Sequence, residues 1–185
     1  MIEFKNVNFS YGKKKIFKDF NFNITDGERI CLFAPSGYGK TTLLRLIMGL
    51  EKPTTGEITG IENKRFSVVF QEDRLLPHKT VLENILLFGD EKNALSILEC
   101  LGLKDSANLY PHELSGGMAR RVAIARALNR ESDIYIFDEP FNGIDKENLE
   151  KTAKIINELT KDKIFIAVSH NPTEAELLNT KIVKI

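Results

Sequence analysis

A glycine-rich segment between an apolar run and a helical pattern constrains this chain more than any other feature. The run Arg29–Ala34 predicts a buried strand, and the leucines of 42–48 have helical spacing. The segment between them, Ala34-Pro35-Ser36-Gly37-Tyr38-Gly39-Lys40-Thr41, matches a phosphate-binding loop except at its first position, where Ala34 replaces glycine. The residue before a proline favours extended backbone, which Ala34 adopts without strain. The sequence therefore predicts a strand, an anion-binding loop and a helix in direct succession.

The loop has the chemistry of a nucleotide phosphate site. Successive backbone N–H groups and the N-terminus of the following helix form a concave anion site. Lys40 can reach β- and γ-phosphates, and the Thr41 hydroxyl can bind Mg²⁺. The alternative is a glycine and serine turn that carries a lysine by chance, but this does not explain the flanking strand and helix.

Two more apolar runs end in polar residues. Ile134–Phe137 is followed by Asp138 and Glu139, and Ile164–Val168 leads to His170. Apolar runs that alternate with helices predict a parallel sheet buried on both faces. Ligands in such sheets lie at the carboxyl ends of the strands. The polar residues that end these runs are therefore expected at one site.

The pair Asp138 and Glu139 fits metal and acid–base chemistry. A carboxylate at the end of a buried strand is costly unless it meets a cation, and Mg²⁺ is the cation expected at Asp138. Helix capping is the alternative for Asp138 taken alone. Glu139 can polarise an attacking water as a general base. Because consecutive strand residues point to opposite faces, Glu139 must lie at the very end of the strand for both acids to reach one site.

Other segments have different patterns. Ile2–Phe9 and Phe17–Ile24 alternate as antiparallel strands do, and 56–61 and 65–70 also predict strands. Residues 72–113 are predicted to be mainly helical, with a capping box at Thr80 and Glu83. Within that stretch a helical stripe is expected through Leu95, Leu98 and Leu101.

Composition excludes some function classes. Lys and Arg total 26 and Asp and Glu total 26, so the net charge is zero, which argues against nucleic-acid binding through bulk positive charge. No apolar stretch approaches 18 residues, so no transmembrane helix is expected, and the first residues do not predict a signal peptide. Cys31 and Cys100 are expected to be two buried free thiols of a cytosolic protein.

The segment Leu114-Ser115-Gly116-Gly117-Met118 and the helical pattern up to Leu128 identify a family resemblance. They resemble the signature motif of the nucleotide-binding domain of ABC transporters, and the resemblance covers essentially the whole chain. A serine-capped helix after a glycine turn is the alternative for this segment, but it does not explain the order of all the motifs. The resemblance implies an α/β fold of the P-loop NTPase type, with a mainly parallel sheet core, an N-terminal antiparallel β-subdomain and an inserted helical subdomain. It implies one domain over 1–185, with the helical subdomain at about 72–128.

The resemblance also implies an ATPase site that uses ATP and Mg²⁺. Tyr11 would stack on adenine, Gln71 resembles the Q-loop glutamine, and His170 resembles the switch histidine at the γ-phosphate. Taken alone, Tyr11 is more often a surface aromatic and His170 a strand-end cap. The implied catalytic residues are Glu139, His170 and Gln71, and the implied metal residues are Thr41, Gln71 and Asp138. The implied nucleotide-binding residues are Tyr11, Ser36, Gly37, Tyr38, Gly39, Lys40, Thr41, Thr42, Ser115, Gly116 and Gly117.

The partners implied by the resemblance are a second ABC ATPase domain and separate transmembrane permease subunits. Two copies would hold ATP between the phosphate loop of one and the signature motif of the other, with Asp145 at the dimer contact. The chain would be cytoplasmic and peripheral on the inner face of the membrane, with a solute-binding protein as an indirect partner and no nucleic acid. The segment 71–85 is most similar to nitrate, sulfonate and taurine importers, which favours import. The surface 72–87 is predicted to dock a membrane subunit.

Several alternatives stay open. Leu75 and Leu76 could pack inside the helical subdomain instead of facing a membrane subunit. The chain could be a soluble ABC ATPase not coupled to transport, or a scaffold that holds nucleotide without turnover. Compared with the family, the stretch between Lys40 and Gln71 is shorter, and C-terminal helices after residue 185 are expected to be absent.

Overall fold

The computed structural model describes residues 1–33 and 37–185. Its strands and helices, in chain order, are β1 (Ile2–Tyr11), β2 (Lys14–Ile24), β3 (Arg29–Phe33), α1 (Lys40–Ile47), β4 (Thr55–Thr59), β5 (Phe66–Val69), α2 (Val81–Ile85), α3 (Glu91–Cys100), α4 (Gly116–Leu128), β6 (Ile134–Asp138), α5 (Lys146–Leu159), β7 (Ile164–Val168), α6 (Pro172–Leu177) and β8 (Lys181–Lys184). Two single 3₁₀ turns, Lys104–Ser106 and Pro111–Glu113, lie between α3 and α4.

The N-terminal strands form a three-stranded antiparallel sheet in the order β2-β1-β4. Its inner face carries Phe4, Val7, Phe9 and Phe17, all of which are buried. The alternating pattern of the sequence arises because successive strand residues point to opposite faces and only one face of this sheet is covered. The predicted antiparallel pairing is therefore confirmed.

The second sheet has the order β5-β6-β7-β3-β8 and is parallel throughout. Alternate residues of its strands enter two different hydrophobic clusters. Ile134 and Ile136 of β6 pack with α1 and the antiparallel sheet, whereas Tyr135 and Phe137 pack with the helices α2–α5. Burial on both faces explains why these strands read as continuous apolar runs. Because the strands are parallel, their carboxyl ends meet at one edge.

The segment between β5 and α4 is less helical than predicted. Within 72–113 the helices are α2, α3 and the two 3₁₀ turns, and residues 72–80 form no helix. Asn84 explains part of this: its side chain accepts the Leu76 N–H at 2.8 Å and donates to the carbonyl oxygens of Leu76, Lys79 and Thr80. These bonds satisfy the loop backbone without helix, so the prediction of a mainly helical stretch was wrong there.

Local predictions in this segment had mixed outcomes. The capping box at Thr80 and Glu83 is confirmed, because each side chain accepts the backbone N–H of the other residue. In the predicted stripe Leu98 and Leu101 are buried, but Leu95 is 42% exposed. Cys31 is buried and Cys100 is exposed, and both are free thiols. The expectation of two buried thiols was therefore wrong for Cys100, the last residue of α3.

The helices of the described residues are short. The longest, α5, has 14 residues and one apolar face. Over 1–33 and 37–185, no helix combines the length and the apolar character that a membrane span needs.

Candidate active site

A cavity of about 350 Å³ lies at the carboxyl ends of β3, β6 and β7. Residues from five distant segments line it, and they include the strand-end residues that the parallel-sheet argument predicts. The lining residues are Tyr11, Lys14, Ile16, Gly37, Gly39, Lys40, Thr41, Thr42, Gln71, Asp138, Glu139, Val168 and His170. Of the other candidate residues, Ser36 lies outside the described residues, and Tyr38, Ser115, Gly116 and Gly117 do not line this cavity.

The described part of the loop before α1, residues 37–39, has features of an anion site. Gly37 and Gly39 have φ of 87° and 93°, in the left-handed region that favours glycine. A Cβ on Gly39 would also lie 2.9 Å from Cγ2 of Ile16, so backbone and space both require glycine there. α1 begins at Lys40 with no acidic residue in its first turn. Its N-terminal N–H groups and helix dipole therefore favour an anion in the cavity.

Asp138 and Glu139 reach the same cavity because the backbone changes direction between them. Asp138 is the last residue of β6, and Glu139 has a left-handed φ of 48°. This breaks the alternation of the strand, so consecutive side chains line one cavity. A non-glycine residue in this region costs about 1–3 kcal/mol, and such strain concentrates at functional sites. The Glu139 N–H donates to the Val168 carbonyl at 2.9 Å and fixes the turn against β7.

Burial disfavours the charged form of Asp138 in the ligand-free site. Burial first, and the neighbouring Glu139 carboxylate second, raise the pKa of Asp138, while the charges of Arg120, Lys40 and His170 oppose the rise. The surrounding cations therefore offset the desolvation of this carboxylate only in part.

Glu139 and His170 form a close pair across the cavity. Nε2 of His170 lies 3.0 Å from Oε1 of Glu139, and the two side chains are 48% and 27% exposed. His170 follows β7 and Glu139 follows β6, so two neighbouring strand ends bring them together. Both side chains stay accessible to a ligand that enters from solvent.

Tyr11 and Gln71 lie at the margins of the cavity. The Tyr11 ring is 42% exposed, packs edge-on against Phe9 at 4.9 Å, and donates its hydroxyl to Glu51 at 3.3 Å. Gln71 follows β5 and is exposed. It also lines a neighbouring cavity of about 420 Å³, together with Thr41 and Asp138. Gln71 therefore lies between the two cavities.

The donor set at this edge fits Mg²⁺ bound together with phosphate. Thr41, Gln71 and Asp138 line both cavities and offer oxygen ligands. Mg²⁺ in nucleotide sites takes one or two protein oxygens and completes its shell with phosphate oxygens and water. Within 1–33 and 37–185 there is no group of three His, Cys, Asp or Glu that could hold a metal on its own. A single half-buried carboxylate with a raised pKa fits a cation that arrives with its own oxygen ligands.

The signature segment lies at the N-terminus of α4. Ser115 is the N-cap, and its Oγ accepts the Met118 N–H at 3.2 Å. Gly117 lies so close to the loop between β6 and α5 that a Cβ would be 2.6 Å from the Gly143 oxygen. Asp145 caps α5 by accepting the Asn148 N–H at 3.0 Å, so it has a structural task within the chain.

The predicted docking surface over 72–87 is partly buried. Leu75 and Leu76 are both half-buried, and Leu75 packs against the cluster formed by α2–α5. The packing alternative therefore holds in part for Leu75. The exposed residues of this surface include Glu72, Arg74, Pro77, His78, Glu83 and Leu87.

Sequence reasoning missed Arg120. Its guanidinium is buried in α4 and contacts the backbone behind Gln71, Asp138 and Glu139. The only signal in the sequence is a charged pair, Arg120 and Arg121, within a helix whose following residues are mainly apolar. Lys14, Ile16 and Val168, which complete the cavity wall, were also not predicted.

Comparisons with known proteins agree with this geometry. The family model described as ABC transporter matches residues 17–142. The glutamine transport ATP-binding protein GlnQ of Escherichia coli is 35% identical over 100% of this chain and 87% of its own length. The aliphatic sulfonates import ATP-binding protein SsuB 1 of Agrobacterium fabrum is 36% identical over 98% of this chain and 70% of its own length.

Solved structures of one bacterial ABC transporter cassette, MJ0796, are also similar. Its dimeric structure has a TM-score of 0.84 and 32% identity, and covers 100% of this chain and 94% of that chain. A dimeric post-hydrolysis structure of the same cassette, bound to ADP and Pi, has a TM-score of 0.86 and 31% identity with the same coverage. The P-loop α/β architecture expected from the sequence is confirmed.

Proposed function

The chain belongs to the ABC transporter family of ATP-binding proteins, and from this premise we propose that it drives solute import through separate membrane subunits. It is a nucleotide-binding ATPase of that family. The cavity lined by Tyr11, Lys40, Gln71, Glu139 and His170 carries the ATPase part of the proposal. The similarity to ATP-binding proteins of importers supports the transport part. A scaffold without turnover would have no use for a strained Glu139 beside a histidine.

The phosphate loop would hold the β- and γ-phosphates. Backbone N–H groups of the loop and of the first turn of α1 would bind phosphate oxygens, and Lys40 would add a positive charge. Glycine at 37 and 39 supports this role, since both positions have left-handed backbone and Gly37 has open space beside it. The other nucleotide-binding residues proposed from this loop are Ser36, Tyr38, Thr41 and Thr42.

Mg²⁺ would bind at Thr41, Gln71 and Asp138. When bound, it would offset negative charge on the phosphate oxygens. The support is the shared position of these residues at both cavities and the raised pKa of Asp138.

Glu139 would act as the general base toward an attacking water, with His170 and Gln71 beside the γ-phosphate. The left-handed turn presents the Glu139 carboxylate to the cavity and not to the opposite face of the sheet. His170 Nε2, 3.0 Å away, would hold that carboxylate in one orientation.

A second copy of the chain would complete the site. Ser115, Gly116 and Gly117 form a helix N-terminus suited to a γ-phosphate, yet they do not line the cavity of their own chain. ATP bound between the cavity of one copy and α4 of the other would use both halves. The dimeric structures of the similar cassette support this arrangement.

The remaining partners follow from the transport role. Separate permease subunits would anchor the chain at the cytoplasmic face of the membrane, and a solute-binding protein would act indirectly. The exposed part of 72–87, next to the cavity of about 420 Å³, would dock the permease. Residues 1–185 would form one ABC ATPase domain, with 72–128 as its helical subdomain, which is supported by the packing of α2, α3 and α4 in one cluster.

Glu139→Gln tests the ATPase site. The amide keeps the shape but cannot accept a proton, so turnover should fall by about 10²–10⁴-fold while nucleotide binding persists. With Mg-ATP the variant should be a stable dimer, and with ADP a monomer, by light scattering. Lys40→Ala should bind ATP weakly and stay monomeric. If Glu139→Gln hydrolyses ATP at the parent rate, the assignment of the base is wrong, and if it binds ATP yet stays monomeric, the shared site is wrong.

Crosslinking tests the transport role. The exposed native thiol is first removed by Cys100→Ser, and single cysteines are then placed at exposed positions such as Glu72 and His78. Both should capture a membrane-spanning subunit in membranes of the source organism, whereas a cysteine at the distant exposed Asp162 should not. Capture only at Asp162, or of no membrane protein by any site, would favour an ATPase not coupled to transport.

A further inference from the structure

One buried guanidinium joins the ends of two strands of the parallel sheet. Arg120, in α4, is only 2% exposed. Its Nη2 donates to the carbonyl oxygens of Asp138 and Glu139, the latter at 2.6 Å, and its Nε donates to that of Pro140 at 3.2 Å. The contacts of Nη2 and Nε therefore fix the backbone that carries Asp138 and Glu139.

The remaining nitrogen of the same guanidinium, Nη1, fixes the segment after β5. Nη1 of Arg120 donates to the Phe70 carbonyl at 2.5 Å and lies 3.5 Å from that of Gln71. It also donates to the Asp73 carboxylate at 3.1 Å. One planar group thus contacts the backbone of Gln71 and of Glu139, which come from different strands.

The hydrogen bonds of Arg120 begin at the point where the pairing of β5 with β6 ends. β5 and β6 pair in parallel up to Val69 and Phe137, and no later pair joins them. Beyond that point the carbonyl groups of Phe70 and Asp138 have no partner on the other strand, and buried carbonyl groups need donors. The guanidinium provides donors in a fixed fork, which sets the distance between the two chain segments.

We propose that Arg120 is a positioning residue that couples the segment Phe70–Asp73 to the two acids at the end of β6. The proposal rests on the proposed function, in which Gln71, Asp138 and Glu139 serve one ATPase site next to a docking surface. A displacement of Asp73 by a docked subunit would pull on Arg120 and so shift Glu139. The ion pair of Arg120 and Asp73 is therefore the link between docking and hydrolysis.

Other arginines of the fold show that burial alone does not give this role. Arg121 follows on α4 but donates to the Leu101 carbonyl and to Asn148, away from the acids. Arg29, at the start of β3, is half-buried and donates to the oxygens of Thr160, Asn157 and Leu178 at the opposite end of the sheet. Arg29 has a comparable number of bonds, so Arg29→Gln is the matched control for a general loss of stability.

Kinetics of Arg120→Gln provide the first test. A displaced Glu139 should lower kcat by about 10²-fold, because an error of about 1 Å in position costs that much. The nucleotide Kd should stay within about threefold of the parent value, since Arg120 donates to the segments 70–73 and 138–140 and is not one of the proposed nucleotide-binding residues. Arg120→Lys keeps the charge but not the fork, so it should restore only part of kcat. Arg29→Gln should lower the melting temperature and leave kcat unchanged.

Hydrogen exchange provides a readout that does not depend on turnover. In Arg120→Gln the backbone N–H groups of 70–74, 138, 139, 141 and 142 should exchange faster, including the Glu139 N–H that donates to Val168. Arg29→Gln should not change exchange there. If Arg120→Gln does not fold, Asp73→Asn, a change at a partly exposed side chain, is the second variant for this measurement. It should speed exchange at 138–142, 65 residues further along the chain.

The outcomes separate this proposal from the proposed function. If Glu139→Gln loses turnover while folded Arg120→Gln retains it, the coupling is wrong and the ATPase site stands. If Arg29→Gln lowers kcat as much as Arg120→Gln does, the effect is general instability and the coupling is also wrong. Unchanged exchange at 138–142 in Asp73→Asn overturns it as well. If Glu139→Gln turns over at the parent rate, the proposed function itself fails.

Discussion

Asp133 directly precedes β6 and Asp138 ends it, yet their surroundings shift their pKa values in opposite directions. Asp133 accepts the Arg65 backbone N–H at 2.8 Å, and this bond, followed by nearby cations, lowers its pKa. Burial and then the Glu139 carboxylate raise the pKa of Asp138. The negative charge of Asp133 is thus stabilised by partners within the chain, whereas that of Asp138 is only partly neutralised. The difference shows at which end of the sheet a cationic ligand is expected.

The backbone shows the same contrast between the two ends. At the amino end, Arg29 satisfies carbonyl groups around the start of β3 by ordinary hydrogen bonds. Left-handed backbone near the amino end occurs at Asn63 and Asp162, residue types that tolerate it, whereas at the carboxyl end it occurs at Glu139, and Arg120 compensates for the end of the strand pairing. Strain and an incompletely neutralised charge occur together at the end that lines the cavity. This pattern is typical of a site that trades stability for function.

The largest expected effect separates the two aspartates by turnover. Asp138→Asn should reduce ATP hydrolysis by more than about 10²-fold, because charge stabilisation at such a site contributes several kcal/mol. Asp133→Asn, the matched control directly before the same strand, should leave kcat unchanged. Measurement of kcat at saturating Mg-ATP for both variants checks this.

The ligand-free stability of these variants sharpens the same contrast. Because the pKa of Asp138 is raised in the folded chain, its charged form costs stability at neutral pH, and asparagine removes that cost. Ligand-free Asp138→Asn should melt at or above the parent temperature at pH 7. If Asp138→Asn turns over ATP at the parent rate, or if both variants lose kcat equally, the two ends of the strand do not differ in function.

The carboxyl end could be predicted from the sequence because its signals are local. In a parallel sheet, the residues that follow the buried strands lie at the same edge. Lys40, Asp138 and His170 could therefore be assigned to one site without knowledge of any long-range contact. The family order of motifs added Tyr11 and Gln71, which line the same cavity.

Features that depend on long side chains could not be predicted in this way. Arg120 reaches carbonyl groups about 20 and 50 residues away in sequence, and this requires the packing of α4 behind the sheet. The loop 76–80 gains its backbone partners from Asn84, which competes with helix. The exposure of Cys100 depends on which side of α3 faces the core, and helical spacing at a helix end does not define this well.

A smaller effect is expected at the margin of the carboxyl end. Tyr11→Ala should weaken ATP binding by about 1–3 kcal/mol if the ring stacks on the adenine. Tyr11→Phe removes only the hydroxyl bond to Glu51, so it should be nearly silent. Equilibrium binding of ATP and of a nucleotide without a purine ring checks the assignment. An ATP affinity of Tyr11→Ala equal to that of the parent would exclude stacking.

The smallest effect concerns the amino end and depends on pH. The pKa of Asp133 is lowered in the folded chain from an unfolded value of about 3.9. The stability from its contacts with Arg65 is therefore fully present above about pH 4 and is lost as pH falls through the lower folded pKa. Solvent screens this exposed pair, so Asp133→Asn should cost at most about 1 kcal/mol at pH 7.

Urea unfolding at several pH values measures this difference. The gap between the parent and Asp133→Asn should be constant from pH 7 down to about pH 4 and should then shrink as the parent carboxylate takes up a proton. Added salt should reduce the gap at pH 7, because exposed charges are screened. Asp105→Asn, at an exposed aspartate in the turn Lys104–Ser106, is the control for the loss of a surface carboxylate elsewhere in the chain. A gap that stays the same in acid would mean that the Arg65 contacts act through shape and not through the charge of Asp133, and the electrostatic contrast between the two ends of β6 would then rest on Asp138 alone.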